Sequence, residues 1–266
     1  EGIKGFNSVT TTTQSPSFSG TKTNCVATDN ALVMDTTVNF DSASGNFDDA
    51  AGLFDGGGGA VQSTGTYEFD SAVDLGAVYT SHVTANITVE RVEYLTLFDS
   101  AQGNFDSRTG TFDGDVQAFD DTNVELQIAT TEDDPNGGSP TYTAFRKFFV
   151  GDYKARGFKF KAILTSSDAE ASPKITALSV SIDMPDRTLA EADLASGTGT
   201  KAITFSPAFK SLQGLGIAAQ NLSSGDYYVI TSKSATGFTI QFFNSSNAGV
   251  NRTFDYVARG FGEVAA

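Results

Sequence analysis

Apolar and polar side chains alternate along several runs of this sequence, and few folds accommodate that pattern. The stretch LSVSIDM (178–184) has an apolar side chain at every second position, and VTANITV (83–89) repeats the pattern. In FKFKAIL (158–164), lysines alternate with phenylalanines in the same way. Successive side chains of a β-strand point to opposite faces, so a period of two predicts strands with one buried face. Antiparallel sheets are the usual setting for such strands.

The rest of the composition also favours an all-β protein. The chain holds 22 Phe and 8 Tyr in 266 residues, and aromatic residues are enriched in strands. Turn-rich segments such as TEDDPNGGSP (131–140) and NSSNAG (244–249) separate the apolar runs. We therefore predict an all-β fold with two antiparallel β-sandwich domains, jelly-roll-like, in tandem.

Two changes along the chain predict where the domains divide. Residues 1–195 hold 29 acidic and 12 basic residues, whereas residues 196–266 hold 3 acidic and 5 basic, and such a shift suggests a boundary. Pro185 cannot donate a ladder hydrogen bond, so it suits the end of a strand. The predicted segments are a linker or leading strand with few contacts at 1–19, a larger sandwich at 20–185, a connector at 186–200 and a small terminal sandwich at 201–266.

One seventeen-residue motif occurs twice, as FDSASGNFDDAAGLFDG at 40–56 and as FDSAQGNFDSRTGTFDG at 98–114. Both copies place a Phe-Asp pair at every seventh position. The glycines between the pairs disfavour a helix, because each costs about 1 kcal/mol in a helix interior. We expect each unit to form a turn in which Asp accepts backbone N–H groups while Phe packs inward.

A bound cation is the alternative for the same repeats. Ca²⁺ takes about six to eight hard oxygen ligands, and the repeats supply many carboxylates, although neither copy has the spacing of an EF-hand loop. The candidate metal ligands are Asp41, Asp48, Asp55, Asp99, Asp106 and Asp113. Apart from a structural Ca²⁺ in that alternative, no cofactor is expected.

Charge and apolar content argue against several classes of partner. The net charge of −15 disfavours nucleic acid, whose phosphates are bound by Lys and Arg. No run of about 18 apolar residues is present, so no membrane span is predicted. One Cys and one His do not supply the four nitrogen or sulfur ligands of a structural zinc site.

The sequence contains no local catalytic motif, and we expect no enzymatic activity. His82 is not accompanied by a G-x-S-x-G nucleophile turn and is interpreted as a structural or exposed residue. The basic residues within 146–174 are interpreted as a solvated sheet face that is partly paired with acidic side chains.

Two stretches resemble a known family. Residues 142–187, from YTAFRKFF to SIDMPDR, resemble the closing strands of the galactose-binding-like, discoidin-type jelly rolls of tailed-phage tail-tip or host-specificity proteins. Residues 208–262, with TSKSATGFTIQFFN and RTFDYVARGFG, are similar to the terminal domain of those proteins and to the H-type lectin sandwich. The resemblance implies a galactose-binding-like β-sandwich at 20–185 and an H-type-lectin-like sandwich at 201–266.

The resemblance also implies a function. Such a chain is a structural or adhesion component of a phage tail tip or tail fibre, at the distal, extracellular end of the virion tail. Its expected partners are further copies in a homotrimer, other tail proteins, and a host surface glycan or receptor. H-type lectins hold their sugar with an aromatic platform, and the residues expected to bind a ligand here are Asp226, Tyr228, Arg252, Asp255 and Tyr256. The alternative is structural, with tyrosines that pack a small core and an Arg–Asp pair at a subunit interface.

Two other function classes remain open. A carbohydrate-binding accessory module of a secreted bacterial enzyme has the same sandwich architecture. A depolymerase that acts on surface polysaccharide requires a pair of carboxylates in a cleft. An upstream catalytic domain in the parent gene would indicate the first, and release of reducing ends from polysaccharide would indicate the second.

Overall fold

The computed structural model describes residues 6–36, 60–93 and 121–265 of the chain. These residues form antiparallel β-sheets and contain no α-helix, which confirms the all-β prediction. The strands are β1 Phe6–Thr13, β2 Thr21–Thr23, β3 Cys25–Thr28, β4 Ala31–Met34, β5 Thr64–Glu68, β6 Val73–Glu93, β7 Thr122–Thr131, β8 Arg146–Lys147, β9 Gly151–Ser166, β10 Ala171–Ala195, β11 Lys201–Thr204, β12 Ser211–Gln220, β13 Tyr227–Ser234, β14 Gly237–Phe243 and β15 Thr253–Phe261.

Three long strands, β6, β9 and β10, organise the larger part of the fold. β10 pairs with β6, and β6 pairs with the first half of β9. The second half of β9 pairs instead with β5 on one edge and β7 on the other. Because β9 takes part in both groups of strands, they enclose one core, which includes Phe158, Phe160 and Leu164. Buried and partly exposed side chains alternate without interruption along 158–164 and 178–184, as their sequences predict.

The two repeats lie outside the described residues, so the predictions of Asp-containing turns and of a cation at those positions stay predictions. The described residues that flank them meet at one end of the larger sandwich. Val61, shortly after the first repeat, donates its N–H to the carbonyl of Ala169 at 2.7 Å. Asp121, shortly after the second, accepts a hydrogen bond from Ser167 N–H at 2.8 Å. Both contacts are made to the turn between β9 and β10.

β10 is the element that joins the two parts of the molecule. It runs from Ala171 through Pro185 to Ala195 without a break. Its first part pairs with β6 and β1, and residues 186–195 pair with β15 except at an irregularity between Glu191 and Leu194. The expected strand end at Pro185 is therefore wrong, and most of the predicted connector at 186–200 is strand. Pro185 is tolerated because its carbonyl still accepts a hydrogen bond from Gly262 N–H at 3.2 Å, and the N–H that proline lacks is the only group lost.

The N-terminal segment makes more contacts than its sequence suggested. β1 pairs with β10 from Ser179 to Pro185, so of the two interpretations of residues 1–19 the structure has the strand. The sequence of β1 is polar and Thr-rich and has no alternation, so it did not predict this pairing. As an edge strand, β1 is held largely by backbone hydrogen bonds to β10.

The terminal part is a small sandwich of two layers. One layer is β12–β15–β10, the end of a twelve-stranded sheet that continues through β10 into β6, and the other is the separate three-stranded sheet β11–β14–β13. Five strands, β11 to β15, lie within 201–266. The core between the sheets is aromatic and contains Phe205, Phe238 and Phe254. Leu189 and Leu194 of β10 pack against it, so this sandwich takes one strand from the segment predicted to be a connector. The assignment of 20–185 and 201–266 as separate domains stays a prediction.

Candidate functional site

An open cleft lies where β8 and the loop after it meet the start of β9. It is lined by residues 146–147 and 149–153 and has a volume of about 530 Å³. Phe149 and Val150 stand at this cleft with 66% and 62% of their surface exposed. Two large apolar side chains exposed side by side in a loop favour a contact surface.

The strand before the cleft determines which aromatic ring is exposed. β8 pairs with β7, and Phe148 N–H donates to the carbonyl of Leu126 at 2.8 Å. The ring of Phe148 packs edge-on against Phe160 of the core, with ring centroids 6.5 Å apart. Phe148 is thereby turned inward, and Phe149 is directed to solvent.

Tyr153 fixes the backbone of this loop. Its hydroxyl donates to the carbonyl of Phe149 at 2.7 Å and accepts from the N–H of the same residue at 3.3 Å. Its ring stacks nearly parallel on Phe148, with centroids 6.2 Å apart. The guanidinium of Arg146 lies 5.7 Å from the Tyr153 ring centroid, within range of a cation–π contact. The exposed Phe149 ring is therefore carried on a backbone with defined geometry.

Charged groups of both signs line the same cleft as the exposed Phe149. Asp152 Oδ1 lies 2.8 Å from His82 Nδ1, and the Asp152 side chain is 68% exposed. Lys147 lies 3.8 Å from Glu125 with 61% of its side chain exposed. The cleft thus presents two cationic hydrogen-bond donors, Arg146 and Lys147, and one carboxylate acceptor.

Asp226 and Arg252, two residues expected to bind a ligand, bind each other. Arg252 Nε and Nη2 each lie 2.6 Å from Asp226 Oδ2, and the Asp226 side chain is 2% exposed. Asp226 also accepts the N–H of Ser223 at 2.8 Å. The pKa of Asp226 is held below its usual value mainly by the Arg252 guanidinium and, to a smaller extent, by the hydrogen bond from Ser223 N–H. The pair closes the turn before β13 within a single chain.

The other three residues expected to bind a ligand have three different environments. Asp255 accepts hydrogen bonds from Asp193 N–H and Gln220 Nε2, both at 2.9 Å. Tyr256 is 5% exposed within the aromatic core, and this burial raises the pKa of its hydroxyl. Tyr228 is the one exposed residue among the five, with 39% of its surface accessible. Ligand binding by this set stays a prediction, and the geometry gives four of its members structural contacts.

The six candidate metal ligands in the repeats lie outside the described residues. Within 6–36, 60–93 and 121–265, no group of three or more His, Cys, Asp or Glu side chains is arranged to hold a metal ion. No helix in the described parts of the chain is long and apolar enough to cross a membrane.

The basic residues of 146–174 are partly paired, as expected. Arg156 binds Asp74 at 3.0 Å and Asp134 at 2.8 Å, and Lys174 lies 3.5 Å from Glu90. Asp74 and Glu90 lie on β6, and Asp134 lies in the loop after β7. Most of the cluster is therefore a solvated sheet face, and only its first two members line the cleft.

Sequence reasoning missed the cleft because it read FRKFFVGDY (145–153) as part of that basic face. A usable signal was present in FFV, three consecutive apolar residues that break the alternation just before a glycine. Comparison of the chain with family models, with curated proteins and with solved structures found no match. The resemblance to tail proteins therefore stays an expectation from sequence, and the functional argument rests on the chemistry of the cleft.

Proposed function

We propose that this protein is a non-enzymatic adhesion component of a phage tail tip or tail fibre and that it contacts a host cell-surface glycan through the cleft beside β8 and β9. The observation that carries the glycan proposal is Phe149, an aromatic residue with 66% of its surface exposed on a loop that Tyr153 holds in place. A preformed site loses less conformational entropy when a ligand binds.

The chemistry of the cleft fits a sugar. A pyranose ring presents C–H groups on its faces and hydroxyls around its edge. The negative face of an aromatic ring attracts such C–H groups, and charged side chains form stronger hydrogen bonds to hydroxyls than neutral ones do. Phe149 supplies the ring, Arg146 and Lys147 are donors, and Asp152 is an acceptor.

The proposed assembly is a homotrimer that also contacts other tail proteins. Its support is the resemblance of 208–262 to the terminal domain of tail-tip proteins and the charge balance of 196–266, which hold 3 acidic and 5 basic residues in a chain of net charge −15. Copies of a strongly acidic chain repel each other least where the charge is near zero.

A glycan array followed by calorimetry on the best sugar tests the binding proposal. Wild type should bind, and Phe149→Ala should weaken binding about tenfold, as loss of a central aromatic anchor does. Tyr228→Ala is the matched variant, because it removes an exposed ring at the site expected from the resemblance. Loss of binding in Tyr228→Ala with full binding in Phe149→Ala would move the site to the terminal sandwich and overturn the cleft.

Two further arms test the rest of the proposal. Binding uses protein groups alone, so it should survive EDTA; loss of binding with EDTA would instead identify a required cation, as in the calcium interpretation of the repeats. Incubation with host polysaccharide should release no reducing ends, and their release would overturn the non-enzymatic assignment.

Neighbouring capsid and tape-measure genes are expected for a tail protein, whereas a catalytic domain upstream in the same gene would support the accessory module.

A further inference from the structure

β13 is an exposed edge strand with an unusual run of apolar residues. Within the described part of the chain it pairs only with β14, and each of its eight residues is exposed. Tyr227, Tyr228, Val229 and Ile230 follow one another with 41%, 39%, 41% and 36% of their surface accessible. The free edge of such a strand presents unpaired N–H and C=O groups beside apolar side chains.

The apolar side chains occupy both faces of the strand. Tyr227 stacks on Phe243, with ring centroids 5.3 Å apart and ring planes at 20°. Tyr228 contacts Phe242, which is fully buried in the aromatic core. Tyr227–Ile230 therefore presents apolar surface on both faces of the sheet and along its free edge.

Only the second half of β13 carries features that protect an edge strand from pairing. The register with β14 shifts between Ile230 and Ser232, and Lys233 follows. Bulges and lysines are the devices that keep edge strands apart. Tyr227–Ile230 has neither, so this half is open to another strand.

Charge identifies the partner that fits this surface. Residues 211–250 contain one acid, Asp226, and one base, Lys233, and the Asp226 carboxylate is buried against Arg252. The whole chain carries −15, so two copies repel each other over most of their surface. Around β13 that repulsion is absent, so a second copy can approach this apolar surface without a charge penalty.

We propose that a second copy of this chain covers the first half of β13 and that Tyr227–Ile230 is the contact through which copies associate. The inference rests on the proposed assembly of copies and adds its contact surface. Where two β13 edges pair directly, main-chain hydrogen bonds add to apolar burial, and such a pair is twofold and gives a dimer. In a homotrimer the Tyr227–Ile230 surfaces of the copies pack around a threefold axis instead.

Light scattering after size-exclusion chromatography tests the inference with two lysine variants. Val229→Lys places a charge on the unprotected half of β13. Val26→Lys is the matched control, because Val26 is also 41% exposed and lies on β3, far from β13 in sequence. A cooperative thermal melting transition in both variants is the check that they are folded.

Wild type and Val26→Lys should elute as assemblies, and Val229→Lys should elute at the mass of one chain. Wild type at the mass of one chain, or an assembly that Val229→Lys leaves intact, would overturn the inference. A dimer that Val229→Lys dissociates supports the β13 contact and rejects the homotrimer. Because the cleft lies on another part of the fold, glycan binding by monomeric Val229→Lys separates failure of the assembly from failure of the proposed function.

A cysteine variant gives an independent readout. Val229→Cys should form a disulfide between copies under mild oxidation, since the chain contains one other cysteine, Cys25, which is 7% exposed. Val26→Cys should remain unlinked under the same conditions. Equal cross-linking of Val229→Cys and Val26→Cys would show that the disulfides form by random collision, and it would overturn the specific contact at Tyr227–Ile230.

Discussion

Arg91 and Asp121 form two parallel hydrogen bonds although 30 positions separate them in the chain, with Nε 3.1 Å from Oδ1 and Nη2 3.0 Å from Oδ2. Arg91 Nη2 also lies 3.0 Å from Asp168, and Nη1 contacts Glu93. The Arg91 side chain is 8% exposed. One guanidinium thus joins the end of β6, the start of β7 and the turn between β9 and β10.

Replacement of this guanidinium should destabilise the larger sandwich. In Arg91→Met, three carboxylates remain close together without their cation, which costs about 2 kcal/mol. Since 1 kcal/mol corresponds to about 2–4 °C in a domain of about 150–250 residues, the melting midpoint should fall by about 4–8 °C. Arg259→Met is the control, because the Arg259 side chain is 69% exposed and lies 3.7 Å from its partner, Asp186. Equal melting of Arg91→Met and wild type would contradict the role assigned to this cluster.

Gly249 should not accept a side chain. A Cβ atom at this position would overlap the backbone oxygen of Thr198 and approach Gln241 Nε2 to 3.2 Å. Gly249→Ala must therefore displace the loop between β10 and β11, and we expect its melting midpoint to fall by several degrees. A Cβ atom at Gly199 meets nothing within 4 Å, so Gly199→Ala should melt like wild type. The same midpoint for the two variants would refute the close packing inferred here.

The strands of this fold could be predicted from sequence where one face is buried. Residues 178–184 and β14 show this, because every second side chain of each is buried, and a strand with one buried face alternates in its sequence. β1 and the second part of β10 could not be predicted in the same way. They are held by pairing with strands distant in sequence, and their exposed faces leave no pattern that separates a strand from a loop.

The candidate site was less predictable than the fold. Phe148 and Phe149 are adjacent and chemically identical, yet one packs on Phe160 and the other faces solvent. The choice depends on the hydrogen bond from Phe148 to Leu126, a contact between different strands. For the same reason the sequence left open whether Tyr256 binds a ligand or packs a small core, and only its place in the terminal sandwich shows that its ring is buried.

Acid should weaken the terminal sandwich through Asp226. Its pKa is lowered in the folded chain by Arg252 and by the N–H of Ser223, so its stabilising effect is present above the unfolded pKa of about 4 and is lost as the pH falls through the lower, folded value. Wild type should therefore melt at progressively lower temperature as the pH falls from about 5 to about 2.

The variant Asp226→Asn isolates this contribution. It should melt below wild type at neutral pH and lose less on acidification, because the charged partner of Arg252 is already absent. Asp70→Asn removes an exposed carboxylate and should keep the acid dependence of wild type. Parallel curves for Asp226→Asn and wild type between about pH 5 and pH 2 would exclude Asp226 as a source of acid sensitivity.

The hydroxyl of Tyr153 should influence glycan binding without touching the sugar. It donates to the Phe149 carbonyl at 2.7 Å, and its ring stacks on Phe148. Tyr153→Phe keeps the ring and removes the hydroxyl, so the core contact persists while the loop loses its anchor. Affinity should fall about threefold, because the Phe149 ring must now be ordered during binding, and the loss should appear as a less favourable binding entropy in calorimetry. Tyr227→Phe, which removes an exposed hydroxyl in the terminal sandwich, should bind as wild type does. Unchanged affinity and entropy in Tyr153→Phe would mean that the loop is held by its other contacts, whereas a loss as large as that of Phe149→Ala would mean that Tyr153 contacts the sugar directly.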